Sequence, residues 1–187
     1  MTAQFSDTVF YSGEAYSLAG VNGSGLFDPE TQGLKPIGTC SACWRGYLCE
    51  YEVVENRLLL QRLQISIDKE AKALFGVAPE ESEDEIRIFG ADYKGLSRRV
   101  AYSGGLLIAK DFIHELYVHM GFHPAWKYEE VHELVFEKGR LVFQKDCSDR
   151  MHELRDALSK RRREPEHPGS REEIEKWIKS TFSLDYR

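Results

Sequence analysis

The sequence predicts a β-rich α+β protein. In this reading two pseudo-repeated β-hairpin units form a sheet or barrel-like core, one helix belongs to the second half, and two C-terminal helices pack on the outside. Three observations predict it. The stretches "WRGYLCEYEVVENRLLLQR" from Trp44 and "WKYEEVHELVFEKGRLVFQK" from Trp126 present the same residue types in the same order. Each stretch alternates apolar and polar residues around a turn dipeptide, which is the pattern of a half-buried hairpin. Helical periodicity is confined to a short segment before Trp126 and to the chain beyond Cys147. The expected boundaries are 1–77 for the first β-rich half, 86–147 for the second half with its helix, and 148–187 for the helical cover, all in one compact domain.

With one residue added to the second turn, Trp44 meets Trp126, Arg45 meets Lys127, Val53 meets Val135 and Glu55 meets Glu137. "RLLLQR" from Arg57 then meets "RLVFQK" from Arg140. Upstream, "YSGEAYSL" from Tyr11 echoes "FGADYKGL" from Phe89, and "SGLFDPE" from Ser24 echoes "GGLLIAKD" from Gly104. In the first hairpin Tyr47, Cys49, Tyr51 and Val53 fall on one face, with Glu50 and Glu52 on the other. Glu55-Asn56 and Lys138-Gly139 supply the turns, because Asn and Gly accept the positive φ of tight hairpins. The return strand carries Leu63, Ile65 and Ile67 inward and Arg62, Gln64 and Ser66 outward. "RLVF" is apolar on both faces, which predicts that the last strand of the second hairpin lies deep.

In "AKDFIHELYVHMGF" the residues Phe112, Ile113, Leu116, Tyr117 and Met120 make one helical stripe, with Asp111 to cap its start and Gly121 its end. "FDPETQG" allows a single turn, with Asp28 as cap, Pro29 in the first helical position and Gly33 as the stop. The acidic "APEESEDE" of 78–85 reads as a surface link between the halves. After Cys147, "SDRMHELRDALSKRRR" is helical with a Met151, Leu154 and Leu158 stripe. "SREEIEKWIKSTF" opens on a Ser170-to-Glu173 capping box and buries Ile174, Trp177 and Ile178.

Composition narrows the function. At 187 residues the chain can bury a core without staples, and its net charge of −6 argues against general nucleic-acid binding. The basic run from Lys160 to Arg163 is followed at once by "EPEH" and reads as a solvated helix end. No apolar run approaches a membrane span, and "MTAQFSDTVFYSGE" has neither the basic start nor the apolar stretch of a secretion signal. A cytoplasmic protein with reduced thiols at Cys40, Cys43, Cys49 and Cys147 is the expectation.

The chemical motifs are incomplete. His114-Glu115 and His119 have one residue too many for a zinc-protease helix: an i,i+5 pair lies about 140° apart around the axis. His119 and His123 share a face only if the chain turns at Gly121. "CSAC" has metal-knuckle spacing but no second ligand pair, so the metal expectation is none, with Cys40 and Cys43 the residues that would serve if one were bound. Ser103 and Ser24 precede glycines that read as turn residues and lack the strand-to-helix elbow of a nucleophile. No catalytic residue and no cofactor is assigned. Trp44 with Arg45, and Trp126 with Lys127, each set a large ring beside a cation, as interface anchors do. The partner-binding candidates are therefore Trp44, Arg45, His119, His123, Trp126 and Lys127. The expected function is a non-catalytic protein-binding module, of the inhibitor or immunity type, recognising a macromolecular partner through charge complementarity. The alternative is a small enzyme or small-molecule binder with a pocket between the halves, lined by His119, His123, Trp126 and Trp44. The sequence leaves the oligomeric state open.

Overall fold

The structure, a computed structural model, describes residues 2–68, 71–80 and 88–161 together with Leu184 and Tyr186. Among these residues eight strands form one mixed sheet. They are β1 (Thr8–Tyr11), β2 (Glu14–Ser24), β3 (Tyr47–Val54), β4 (Arg57–Ile65), β5 (Ala91–Arg99), β6 (Ser103–Phe112), β7 (Tyr128–Glu137) and β8 (Arg140–Asp146). The order is β3-β1-β2-β6-β7-β8-β4-β5, and β3 also pairs with β4, so the sheet curls into a near-ring. Every pairing is antiparallel except β1 with β3. Among the described residues one α-helix, α1 (Ser148–Arg161), follows β8. Among the described residues no helix is long and apolar enough to cross a membrane.

Both expected hairpins form, because their turn residues accept the backbone the turn demands. Glu55 and Asn56 sit at φ 48° and 59°, Lys138 and Gly139 at 47° and 78°, the left-handed pair that matches strand twist. The two tips meet each other almost symmetrically. Arg57 pairs with Arg140, Leu58 N–H donates to Gly139 O, and Leu141 N–H donates to Asn56 O, each at 2.9 Å. These are the residues that the sequence register makes equivalent. The upstream echo has no such counterpart: "SGLFDPE" leaves the sheet after β2, whereas "GGLLIAKD" lies within β6. Gly104 and Gly105 are accordingly strand residues, not turn residues.

The ring is filled, not hollow. Val9, Leu18, Tyr51, Leu58, Leu60, Leu63, Ile65, Tyr93, Tyr102, Leu106, Ile108, Leu134 and Phe136 belong to one apolar cluster drawn from both halves. β4 keeps this face buried by a bulge. Its pairing with β3 jumps from Tyr51↔Leu60 to Glu50↔Arg62, so Gln61 is skipped, and Leu58 and Leu60 face the same side as Leu63 and Ile65. The unbroken alternation expected for this strand holds only after Gln61, and Ser66, expected outward, is buried.

Other expectations need correction. β8 does not lie deep: Val142 and Phe143 are 49% and 50% exposed. Its second edge meets β4 only at Arg140. The helix expected from Asp111 is absent. β6 continues to Phe112, which pairs with Tyr128, and Asp111 takes φ 59°. Only a single 3-10 turn, His114–Leu116, remains. Sheet pairing and ring contacts of Phe112 with Tyr128 and His123 captured the start of the stripe. The "FDPETQG" turn forms as expected over Pro29–Gln32, with Asp28 accepting from Glu30 N–H and Gly33 at φ 75°. The link of 78–85 is described to Glu80, which forms a bridge to Asp92; the helix expected from Ser170 lies outside the described residues.

α1 packs on the outer face of the sheet rather than over an edge. Asp146 caps it through Ser148 N–H at 2.9 Å. Met151 joins Ala19, Leu107, Ala109, Tyr128 and Val131 in a second apolar cluster. Leu154, expected in the buried stripe, is 40% exposed. Arg155 takes the inner face instead, donating to Trp126 O and Tyr128 O at 3.0 and 2.6 Å. These carbonyls, at the turn leading into β7, hold a guanidinium more firmly than they would accommodate a leucine.

Candidate functional site

The N-terminal segment straps together two loops that the sequence reading treated separately. Gln4 N–H donates to Gly121 O, Phe5 N–H to Ala42 O, and Trp44 N–H to the Gln4 side chain. Gly38 packs so tightly under Trp44 that a Cβ there would lie 2.4 Å from Trp44 O. Ile37, Trp44 and Phe5 thus project from backbone that is cross-bonded, and Trp44 is 71% exposed. Tyr117 and Val118 are also exposed, on the loop that Gln4 holds through Gly121.

Arg45 does not share that exposure. Its guanidinium forms a two-pronged ion pair with the buried Asp7 and stacks 4.7 Å from the Tyr47 ring. Asp7 also accepts from Cys49 N–H at 2.7 Å. Arg45 therefore anchors the base of the loop that presents Trp44, and its charge is largely satisfied within the chain.

His119, His123, Trp126 and Lys127 do come together, in the loop between β6 and β7. Tyr117 OH and His119 Nδ1 are 2.9 Å apart. The His123 ring lies 4.8 Å from Phe112 and 5.2 Å from Tyr117, and its Nδ1 is 3.5 Å from Lys127 Nζ. Lys127 is 2% exposed and sits 5.4 Å from the Trp126 ring. Trp126 is half-buried where its counterpart Trp44 is open. Neither Trp44 nor Arg45 enters this cluster by any ring contact or hydrogen bond among the described residues. The interior between the halves, where the alternative pocket was expected, is occupied by the apolar cluster, and none of the four residues named for it belongs to that cluster.

Burial, and then the Lys127 charge, push the His123 imidazole down to about 4. Its Nε2 is buried without a hydrogen-bond partner. A histidine held neutral in the fold but free to charge when unfolded stabilises the protein above about 6.5 and loses that contribution as pH falls toward about 4. Urea unfolding at pH 7 and pH 5 should show this loss in the native sequence and a smaller one in His123→Phe; equal losses would refute it.

A third cluster was not read from the sequence. At the ends of β1, β6 and β8 and the starts of β2 and β7, Glu130 accepts from Tyr16 OH at 2.7 Å, pairs with Lys110 at 3.0 Å, and meets His132 Nε2 at 2.9 Å. Lys110 also pairs with Glu14, and Tyr11 OH meets Gln144. The Tyr16 hydrogen bond, followed by those from His132 and Lys110, holds Glu130 down to about 2. Burial, then Glu130, pushes the Tyr16 phenol up. Each carboxylate and cation here is answered by a neighbour, so the cluster closes the end of the apolar interior as a saturated network. Its signal was the period of two: Tyr16 extends the Leu18 face, and Glu130 and His132 extend the Leu134 and Phe136 face.

All four cysteines are free thiols. Burial raises the Cys43 and Cys49 thiols above their usual range, which disfavours the thiolate that redox exchange and metal binding need. Cys43 donates to Tyr47 O at 3.3 Å. Among the described residues no three His, Cys, Asp or Glu side chains converge as a metal centre. Comparison with protein-family models, with characterised proteins and with solved structures finds no match to this chain.

Proposed function

We propose that the protein is a non-catalytic binding module that recognises another protein, of the inhibitor or immunity type, through the face centred on Trp44. The observation that carries this reading is a tryptophan left 71% exposed on a rigid, cross-bonded loop. Leaving so large a ring in water forgoes roughly 2–3 kcal/mol of burial, and tryptophans in such positions are the usual anchors of protein interfaces. Phe5 and Ile37, exposed on the segments bonded to this loop, add apolar surface, and the Arg45–Asp7 pair fixes the loop before a partner arrives, which lowers the entropy lost on binding. A net charge of −6 favours encounter with a basic partner. The two hairpins, on this reading, are copies of one ancestral unit. The reciprocal hydrogen bonds between their tips support that origin, and the contrast between Trp44 and Trp126 supports a division of labour between the copies.

The test is a comparison of partners retained from the native host by the unaltered chain, by Trp44→Ala and by Trp126→Ala. A protein partner should be retained by the first and third and lost at least tenfold by the second, since a central tryptophan contributes about 2 kcal/mol or more. The same set of proteins on all three would overturn the reading. An enzyme among the specific partners, silenced by the unaltered chain and not by Trp44→Ala, would establish the inhibitor type.

A further inference from the structure

A groove of about 340 Å³, lined by none of Phe5, Ile37 and Trp44, lies between the segment after β2 and the end of β5. That volume is at the small end of sites for organic ligands, which start near ~300 Å³. Its lining includes Phe27, Phe75, Arg98, Arg99 and Asp28, and three separate features of this lining point to a ligand.

The first is Phe75. It opens a two-residue turn with Gly76, across which Leu74 and Val77 exchange both backbone hydrogen bonds at 2.9 Å. Phe75 stands at φ 52°, a conformation that suits Asn or Gly and strains an aromatic residue. The strained ring meets the edge of Phe27, with centroids 6.2 Å apart, and forms one aromatic wall with it. Strain of this kind gathers at ligand sites.

The second is the bulge in β5. Leu60 pairs with Arg98 and Arg62 with Lys94, so Gln61 alone faces Gly95, Leu96 and Ser97. Gly95 and Ser97 take φ 68° and 46°. Bulges re-aim the side chains that follow them, and here those are Arg98 and Arg99. The third is their charge. Arg45, Arg62 and Arg155 are each paired with a carboxylate, but among the described residues Arg98 and Arg99 have no ion pair. The Arg98 guanidinium instead lies 4.8 Å from the Phe75 ring centre.

We propose that this groove binds a small flat anion, an aromatic carboxylate or aryl phosphate bearing a hydroxyl. The anionic group pairs with Arg98 and Arg99, whose planar forks suit carboxylate and phosphate oxygens. The ring lies against Phe27 and Phe75. The hydroxyl donates to Asp28, whose Oδ1 already takes Glu30 N–H at 2.9 Å and whose remaining lone pairs are available. The site is independent of the Trp44 face.

Calorimetric titration of the full chain with 4-hydroxybenzoate and with 4-hydroxyphenyl phosphate tests it, with phenol and inorganic phosphate as the separated parts. At least one of the two aromatic anions should saturate a single site. Arg98→Gln and Arg99→Gln should each weaken it about tenfold or more, the loss of one charge-assisted contact. Phe75→Asn, whose side chain accepts the turn, should weaken it while circular dichroism and melting confirm the fold; Arg150→Gln on the α1 surface should leave it unchanged. The tighter of the two probes identifies carboxylate or phosphate. Failure of both to saturate below about 10 mM, or unchanged binding by Arg98→Gln, overturns the proposal. Equal binding of inorganic phosphate and the aryl phosphate would overturn the part assigned to the ring.

Discussion

Asp92→Ala is expected to destabilise the fold by about 3–5 kcal/mol, the usual consequence of removing one partner from a buried ion pair. Asp92 is 0% exposed. Arg62 grips it with two hydrogen bonds, Nε to Oδ1 at 2.8 Å and Nη2 to Oδ2 at 2.6 Å. Glu50 takes the third contact of the same guanidinium at 2.9 Å, so Arg62 keeps a partner in the variant and the loss should fall toward the lower end of that range. Arg62→Leu should cost more, because it leaves a carboxylate with no solvent and, among the described residues, only Lys94, at 3.9 Å, to answer it. A chain in which both are leucine should recover much of the loss, since well-packed apolar groups often replace a buried pair without penalty. Urea unfolding at pH 7 measures all three. A loss below about 1 kcal/mol for Asp92→Ala, the range of an exposed pair, would show that the interaction is a surface contact.

Nothing in the local sequence marks Asp92. In "FGADYKGL" the period of two puts Ala91 and Tyr93 inward and Asp92 outward, and the strand does turn it away from them, to the side that carries Arg62. Its carboxylate is covered by Arg62 from β4, and its backbone is paired on the other edge with Glu80, the two exchanging hydrogen bonds at 2.8 and 3.0 Å. Such pairing is long-range, and a one-dimensional period carries no record of it. The hairpins were legible for the opposite reason, because Glu55-Asn56 and Lys138-Gly139 specify their backbone within two residues. The segment from Phe112 to Met120 lay between these cases. Its apolar residues fit a helical stripe, but pairing of Phe112 with Tyr128 offered the same residues a sheet and an aromatic cluster, and tertiary contacts outweighed local preference. Site legibility followed the same division. His119, His123, Trp126 and Lys127 fall together because one short loop contains them, whereas Glu130, Tyr16 and Lys110 meet across three strands whose order the sequence does not state.

Gly104→Ala should produce the other large loss, about 4 kcal/mol, combining strain at a backbone angle that alanine resists with an overlap that side-chain motion cannot relieve. Gly104 stands at φ 140°, and a Cβ on it would lie 2.1 Å from Asn22 O and 2.6 Å from Gly23 Cα. Gly23, directly opposite in β2, is matched to it: its φ is 157°, and its own Cβ would lie 2.2 Å from Ser103 O. The closest obstructing atoms are backbone on both sides, so β2 and β6 can approach only because neither residue carries a side chain. That seam joins the strands of the first half to those of the second, and the interior cluster needs both halves to close. Forcing it apart should therefore be felt beyond the two residues, as faster amide exchange at Asn22 and Gly105, which pair in the same register. Gly90→Ala is the matched control, since a Cβ there meets nothing within 4 Å, and it should be close to neutral. Equal stability of the two variants would mean that β2 and β6 are not held in this register.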